Sequence, residues 1–581
     1  MPQQADTTAE YAYDTGRKYL ADWLAAQPDN FYAANGLLQD LVARYATAAD
    51  LPRLDQLLRG FGAQVAAADA LVHRCSHEPG TPVLERWDAV GRRQERVHFD
   101  DSYHTWGAQI YGTGVMSVTG QAERAIEQAV LMLLSSHQGE AGHNCPLACT
   151  CGMIKAIQKV GHPRLQQALL PGLLDPNYAT HLHGSQFLTE IQGGSDVGAN
   201  ACQAELVLPE TAEHPALWRL HGEKWFCSVV DAPVHLVTAR PVGGQEGTKG
   251  LGLFLVPHDL PDPNNLQVLP LLPFGQTPRP VNHFTIRRLK NKLGTRAMAS
   301  AELDWNGALA WQLGPLDQGF RNVVEIVLDT SRLFNALAVA GSMWRAYWQA
   351  ATYAEHRRAF TKKIGAFGII HQSIGQLWIE AAAATAGTLD LIAAQASGQH
   401  LGAVRMALNA NKYWTSIRNT QMQRLAIEVL GGNGAIEDFS VLPRLYRDAI
   451  VTESWEGSHS VLAAQTVRDM QRLGLHKDWL DWLEPRVLAL PVTDLHVRFA
   501  AMRDDADRVV RLAGQDSTQA GRIWMESAMV VHQATCLLEM ADWQEKHGQP
   551  VIHGKAIAQF LALHPWHQAV REPGWWPGQQ G

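Results

Sequence analysis

The change of hydrophobic period between about His181 and Trp305 constrains this chain most, because it sets a strand-rich stretch between two long helical ones. Before it, Ile126, Val130, Leu133 and Leu134 recur at helix spacing, and Leu147, Met153, Ile154 and Ile157 resume the pattern after Pro146. The first third therefore reads as all helical. Within the stretch, Trp218–Leu220, a turn at His221–Gly222, Trp225–Ser228 and Val234–Thr238 read as short strands. Beyond it, Val324, Ile326, Leu333, Leu337 and Val339 return to a helical period, followed by the alanine-rich segments Ile379–Ala396 and Leu401–Leu430. This order excludes an alternating parallel α/β sheet. The expected fold is mainly α with a central β domain: an N-terminal helical domain over 1–182, a β-barrel or sandwich over 183–305, a helical bundle over 306–470 and an extra C-terminal helical domain over 471–581. Pro257 to Pro280 carries too many prolines for a central strand and predicts a surface excursion. The tail Pro573–Gly578 predicts a flexible end.

With 581 residues and 46% apolar content, the chain is too long for one hydrophobic core and should divide into about three or four domains. Its net charge of −8 opposes a chain-wide basic field, so nucleic acid would have to meet a local patch. No apolar run approaches the roughly 20 residues that span a bilayer. Met1 to Arg17 is polar and acidic rather than a basic stretch followed by an apolar one. These features predict a cytoplasmic protein with no membrane partner. Cys145, Cys149 and Cys151 share one window, but their spacing fits neither a zinc ribbon nor a Cys-x-x-Cys redox pair. Structural thiols are expected there, and no metal site.

The chemistry concentrates at Val451–Ser458, where a glutamate stands in an apolar, glycine-flanked turn. A carboxylate beside Trp455, with Gly457 admitting close backbone approach, is placed to abstract a weakly acidic carbon-bound proton. Glu456 is the candidate base; capping of a backbone turn is its plainer alternative. A doubly wound dinucleotide loop is absent, since Gly112–Thr113–Gly114 lacks the third glycine. Phe187–Asp196 instead supplies hydroxyls and amides able to wrap a ring edge and a pyrophosphate, or serves as a domain hinge. Gly431–Gly432 ends a helix and suits either a phosphate or a C-cap.

Six motifs occur in a fixed order. They are Leu188–Thr189–Glu190 with Gly193–Gly194–Ser195–Asp196, Gly222–Glu223–Lys224–Trp225–Phe226–Cys227–Ser228 and Lys292–Leu293–Gly294–Thr295–Arg296, followed by Leu430–Gly431–Gly432–Asn433–Gly434, Pro443–Arg444–Leu445–Tyr446–Arg447–Asp448 and Trp455–Glu456–Gly457–Ser458. Together they resemble the acyl-CoA dehydrogenase family, and within it the AidB-type alkylation-response branch, which shares the long C-terminal extension. The resemblance implies a non-covalent FAD between the β domain and the second helical bundle, an acyl-CoA-like substrate and a homotetramer. It implies that Gln186, Leu188, Thr189, Gly194 and Ser195 meet the flavin and pyrophosphate, and that Trp225, Cys227 and Ser228 line the isoalloxazine edge. Gly431, Gly432 and the loop from Ser454 to Ala464, with Trp455, Gly457 and Ser460, would hold the ring system and adenosine.

Glu456 falls where the family places its catalytic base, and Arg332 matches an arginine beside it, although a helix arginine is often an ion-pair member. Proton removal α to a thioester by a carboxylate of raised pKa, with hydride leaving the β carbon for flavin N5, is the implied chemistry. The family's interface run is present as Tyr353–Ala354, Arg357 and Phe360, with Thr361 in place of the usual glycine and Gln372 farther along than in typical members. AidB-type proteins are also associated with double-stranded DNA through the C-terminal domain. Residues 471–581 carry 11 Lys and Arg against 13 Asp and Glu, which builds no basic stripe. Arg508, Arg511 and Arg522 are candidates for one face, against a solvated helix face as the plainer reading. Trp479, Trp482, Trp566, Trp575 and Trp576 are read as helix packing rather than base stacking.

Overall fold

The N-terminal part is built from α1 (Ala12–Ala25), α2 (Gly36–Tyr45), α3 (Leu51–Ala67) and α4 (Asp69–Ser76), a hairpin of β1 (Val83–Trp87) and β2 (Arg93–His98), then α5 (Asp101–Tyr111), α6 (Ala125–Ser135), α7 (Asn144–Val160) and α8 (Pro163–Leu173). The computed structural model describes residues 12–260, 281–512 and 514–566. Most of the proline-rich excursion and the whole Pro573–Gly578 tail, with Trp575 and Trp576, lie outside the described residues. Helix starts follow local chemistry: the Asp100 side chain accepts from the Ser102 amide at α5, and His162 caps α8 ahead of Pro163. The hairpin corrects the all-helical reading. β1 is almost wholly exposed and shows no alternating pattern to read. Buried Glu95 of β2 accepts the Ile286 amide and ties the hairpin to the β domain.

The β domain comprises β3 (Gly184–Phe187), β4 (Gln203–Leu208), β5 (Leu217–Ser228), β6 (Val234–Pro241), β7 (Gly252–Pro257), β8 (Phe284–Leu289) and β9 (Ser300–Gln312). Its order is β3-β6-β4-β5-β9-β7 with β8 beside β9, and an added pairing of β6 with β7 closes a barrel. Phe187, Leu220, Val237, Phe254, Ile286 and Trp305 fill the interior. β5 is one strand rather than two joined at His221–Gly222. Its register slips against β9 between Leu220 and His221, so the glycine marks a bulge, not a turn. Gly222 sits at φ +131, and a Cβ there would stand 2.9 Å from the Cys202 Cα.

The bundle begins with α9 (Gly319–Asn322), runs through a π-helical segment, Val323–Leu328, and continues as α10 (Asp329–His356). A hairpin of β10 (Arg358–Ala359) and β11 (Lys362–Lys363) turns at Phe360 and Thr361, both in left-handed conformation. Then follow α11 (Gly368–Ser397), α12 (Leu401–Leu430), α13 (Leu442–Ser454) and α14 (His459–Leu473). The extension adds α15 (Leu475–Leu488), α16 (Thr493–Arg511), α17 (Gly514–Lys546) and α18 (Gly554–Leu563).

Contrary to the expectation from apolar runs, α11 is long and apolar enough to cross a membrane. Here 83% of its most apolar stretch is buried, between α10, α12 and α17. Asp390 of α11 meets Arg486 of α15 at 2.9 Å and His532 of α17 at 3.1 Å, and Arg486 also reaches Glu539. Trp479 and Trp524 are buried and meet edge to face, and Trp482 stacks on His400, so these tryptophans pack helices.

Candidate active site

Elements from all three parts converge on one cavity of about 1280 Å³. Its walls come from α6 and α7 (Met132, Cys145), from β3 and the loop after it (Gln186, Thr189), from the ends of β5 and β8 (Phe226, Arg288), from the loop at Lys292, and from α10 and the turn after α13. This turn carries Glu456.

Glu456 stands at φ +56, a left-handed conformation uncommon outside glycine, and Gly457 follows at φ +109. Such a backbone persists only when neighbours hold it. Arg332 of α10, 3% exposed, donates from Nε to the Glu456 carbonyl at 3.2 Å, from one terminal nitrogen to Asn409 at 2.7 Å and from the other to Gln465 at 3.0 Å. Lys412 of α12, fully buried, donates to the carbonyls of Glu453 at 2.7 Å and Gly457 at 3.0 Å. Two cations on adjacent helices thus grip the main chain on both sides of Glu456.

The side chain of Glu456 is left to face the cavity. Gln186 Nε2 donates to its Oε1 at 2.9 Å. Burial pushes the carboxyl up to about 7, against the pull of Arg332, Lys412 and the Gln186 hydrogen bond. The same burial holds Lys412 down at about 7 and lowers Arg332. A carboxylate poised near neutrality can take a proton and keep it.

Across the cavity, Lys292 donates to the Met298 carbonyl at 2.7 Å and to Ser300 Oγ at 3.1 Å. Burial lowers it to about 8, opposed chiefly by Glu140, whose own carboxyl is pushed up to about 7. Cys145 and Cys149, one turn apart on α7, present thiols 3.8 Å apart to the same space. All seven cysteines are unbridged.

Of the sequence-derived candidates, Gln186, Leu188, Thr189, Gly194, Ser195, Ser228, Arg332, Trp455, Glu456 and Gly457 line this cavity. Four others do not. Around Trp225 and Phe226 the alternation of β5 is broken, because its register slips against β9 between Lys224 and Cys227. Cys227 is wholly buried in the barrel core, and Trp225 lies under the Lys290 ammonium, 3.6 Å from the ring centroid. Phe226 is the aromatic that fronts the cavity, one residue beyond the expected Trp225. Ser460 is exposed on α14, while Val461 and Ala464 take the lining positions.

Gly431 and Gly432 sit in a separate surface hollow with Tyr353 and Arg357, where Asn433 donates to the Tyr353 hydroxyl at 3.1 Å. The hollow therefore joins this glycine pair to the run Tyr353–Phe360 rather than to Glu456. Sequence reading missed Lys412, Asn409 and Lys292 as site groups. The lysine in the mid-helix run Asn409–Ala410–Asn411–Lys412 of α12, a segment wholly buried, was the available signal.

The residues present fit a flavin dinucleotide. Phe226 and Trp455 offer flat aromatic faces, while Thr189, Ser195 and Ser228 offer hydroxyls. The buried Gln186 Oε1 is without a partner among the described residues, aimed from the cavity wall. A Cβ on Gly194 would crowd Thr189 Oγ1 at 2.8 Å, so this loop keeps its amides close to whatever the cavity holds.

Residues 24–180 match the adaptive response protein AidB N-terminal domain, residues 185–307 the acyl-CoA dehydrogenase middle domain and residues 317–471 the acyl-CoA dehydrogenase C-terminal domain. The chain is 29% identical to AidB of Escherichia coli over 459 residues, covering 76% of this chain and 78% of that one. It is 28% identical over 463 residues to acyl-CoA dehydrogenase family member 11 of Caenorhabditis elegans, covering 76% and 70%. Among solved structures, Caenorhabditis elegans ACDH-11 in complex with C11-CoA superposes with a TM-score of 0.79 at 23% identity, over 94% of this chain and 93% of that one. The apo-form of Bd2924 superposes with a TM-score of 0.78 at 23% identity, over 89% and 98%.

Proposed function

The chain belongs to the acyl-CoA dehydrogenase family, with an N-terminal domain of AidB type, and from that premise we propose that it is an FAD-dependent oxidoreductase that dehydrogenates an acyl thioester at Cα–Cβ. The observation that carries this reading is Glu456: a buried carboxyl poised near 7, in a strained turn gripped by Arg332 and Lys412, facing a cavity with apolar and polar walls. Members of the family are flavoproteins, and bound FAD would supply the acceptor for the hydride leaving Cβ.

Thr189, Ser195, Phe226, Ser228 and Trp455 would hold FAD, and Met132, Ala148, Phe334 and Ala338 would receive the acyl chain. Glu456 takes the α proton on a carboxylate oxygen. Gln186 orients that carboxylate, and the Arg332 and Lys412 contacts fix its backbone through the transfer. The hollow at Gly431, Gly432, Tyr353 and Arg357 supports a homotetramer in which a neighbouring copy's cofactor reaches this face. A cytoplasmic location and an acyl-CoA substrate, the latter in keeping with the C11-CoA of the ACDH-11 complex, belong to the same reading.

The visible spectrum of the purified protein, followed on anaerobic addition of acyl-CoAs, tests it. Flavin bands that bleach in wild type but not in Glu456→Gln, with FAD still bound, are the expected result. Equal bleaching by the variant would end the claim.

The alternative is a flavoprotein of the alkylation response that binds duplex DNA and retains only residual dehydrogenase activity. The match to an adaptive response domain favours it, whereas the extension's charges oppose it. Arg508 pairs with Asp505 at 2.8 Å, and Arg522 donates to Tyr413 Oη at 2.7 Å beside Glu526. A duplex titration across salt concentrations separates the two, since phosphate contacts weaken as salt rises. No affinity at low salt leaves the oxidoreductase alone.

A further inference from the structure

A second cavity, of about 460 Å³, opens between the N-terminal helices and the bundle, and one side chain belongs to its wall and to that of the Glu456 cavity alike: Phe334 of α10. Helical periodicity explains the arrangement. Along α10, Ser331, Asn335 and Ala338 face the inner cavity, Thr330, Leu333 and Leu337 face the outer one, and Phe334 stands between the two sets. Along α6, Met132 faces inward, while Gln128 and Ala129, a turn earlier, face outward. Phe334 is only 5% exposed, so its ring is part of the partition rather than of the surface. The outer chamber is lined by Ala129, Ile326, Leu333, Leu337 and Ile392 together with polar groups, among them Gln121, Gln128, Lys155, Glu325 and Asp329.

We infer that Phe334 is the specificity-determining gate between an inner acyl chamber and an outer one, and that the protein takes long-chain acyl thioesters whose distal methylenes pass the ring into the outer chamber. The inference rests on the acyl thioester reading above. An apolar compartment beyond the reacting end gives extra methylenes a place out of water, and burial of each is favourable. A phenyl ring between two chambers can clear the path by a rotamer change, which requires no movement of either helix.

The test is a chain-length series, from butyryl to stearoyl, on the FAD-loaded protein. Two quantities are read: flavin bleaching as kcat/KM, and calorimetric binding of the matching alkyl-CoA thioethers, which lack the thioester carbonyl. Phe334→Ala joins the chambers and should raise the stearoyl-to-butyryl ratio about tenfold in both readouts. Phe334→Trp should lower it. Ala129→Leu, which fills the outer chamber, should cancel the gain in the Phe334→Ala background. Phe334→Leu serves in its place should the alanine variant fail to fold.

Identical chain-length rankings in wild type and a folded gate variant, or an equal effect of Ala129→Leu at every length, would overturn the gate. Should wild type neither bind nor be bleached by any member of the series, the thioester reading itself fails, an outcome distinct from an unshifted ranking.

Discussion

Glu456 concentrates the energetics of the site in one side chain. Its folded pKa, about 7, stands above the ordinary 4.5, so the folded state holds an extra proton between those values and loses stability as pH rises through them. Glu456→Gln removes that loss. Its stability advantage over wild type should grow from acid to neutral pH, up to about 3 kcal/mol, while turnover falls by about a hundredfold or more. Thermal unfolding across pH, with both proteins FAD-loaded, reads this directly, and a constant offset would contradict the burial of the carboxyl.

Catalysis runs the other way with pH: the base acts as carboxylate, so kcat/KM should climb through a limb near 7. Lys412 favours that carboxylate by its charge. In Lys412→Met the limb should therefore move to higher pH, and an unmoved limb would remove the lysine from the electrostatics of the site. The glutamate was legible in sequence because Trp455 and Gly457 frame it. Lys412 was not, because no local signal says which face of a long helix meets a turn 44 residues later.

At the scale of elements, the helix–strand–helix order was readable from periodicity, since apolar spacing reports which face is buried. Details set by pairing were not. The bulge that keeps β5 continuous depends on pairing with β9, and so does a second slip, between Lys224 and Cys227, at which Phe226 rather than Trp225 meets the cavity. Several motif residues prove to be joints. Asp448 accepts from the amides of Thr295 at 2.6 Å and Glu140 at 3.2 Å, tying the bundle to the β domain and to the N-terminal helices. A Cβ on Gly294 would stand 2.4 Å from the Arg447 carbonyl, so the glycine of the Lys–Leu–Gly–Thr–Arg motif permits that joint.

Gly341 plays the same part where α10 crosses the end of α6, with 2.1 Å from its would-be Cβ to the Leu133 carbonyl. Gly341→Ala should force the two helices apart and cost about 2 kcal/mol, measured by urea unfolding. A neutral result would mean that this crossing is looser than described.

For the whole molecule, the extension is part of the core. α17 covers α11, and Asp390 holds Arg486 and His532 from two helices of the extension. The guanidinium keeps Asp390 well below the usual carboxylate range despite its burial. Asp390→Ala strands both partners and should cost about 3–5 kcal/mol, seen as a lower Tm with no change in FAD affinity at low temperature. A shift within error would reduce the network to a surface contact. Composition alone read 471–581 as a separate helical unit. The tertiary role escaped it because α11 is apolar over most of its surface, and such a helix does not announce which neighbour closes its last face.

That closure has an order in time. On the ribosome, α11 is complete well before α17 exists, and at synthesis rates of roughly 5–20 residues per second the wait is on the order of ten seconds. Through that interval a membrane-length apolar helix lacks its lid. The nascent chain should accordingly depend on holding chaperones, and a stall ahead of α17 should release it to aggregation even though every residue around Glu456 has already been made.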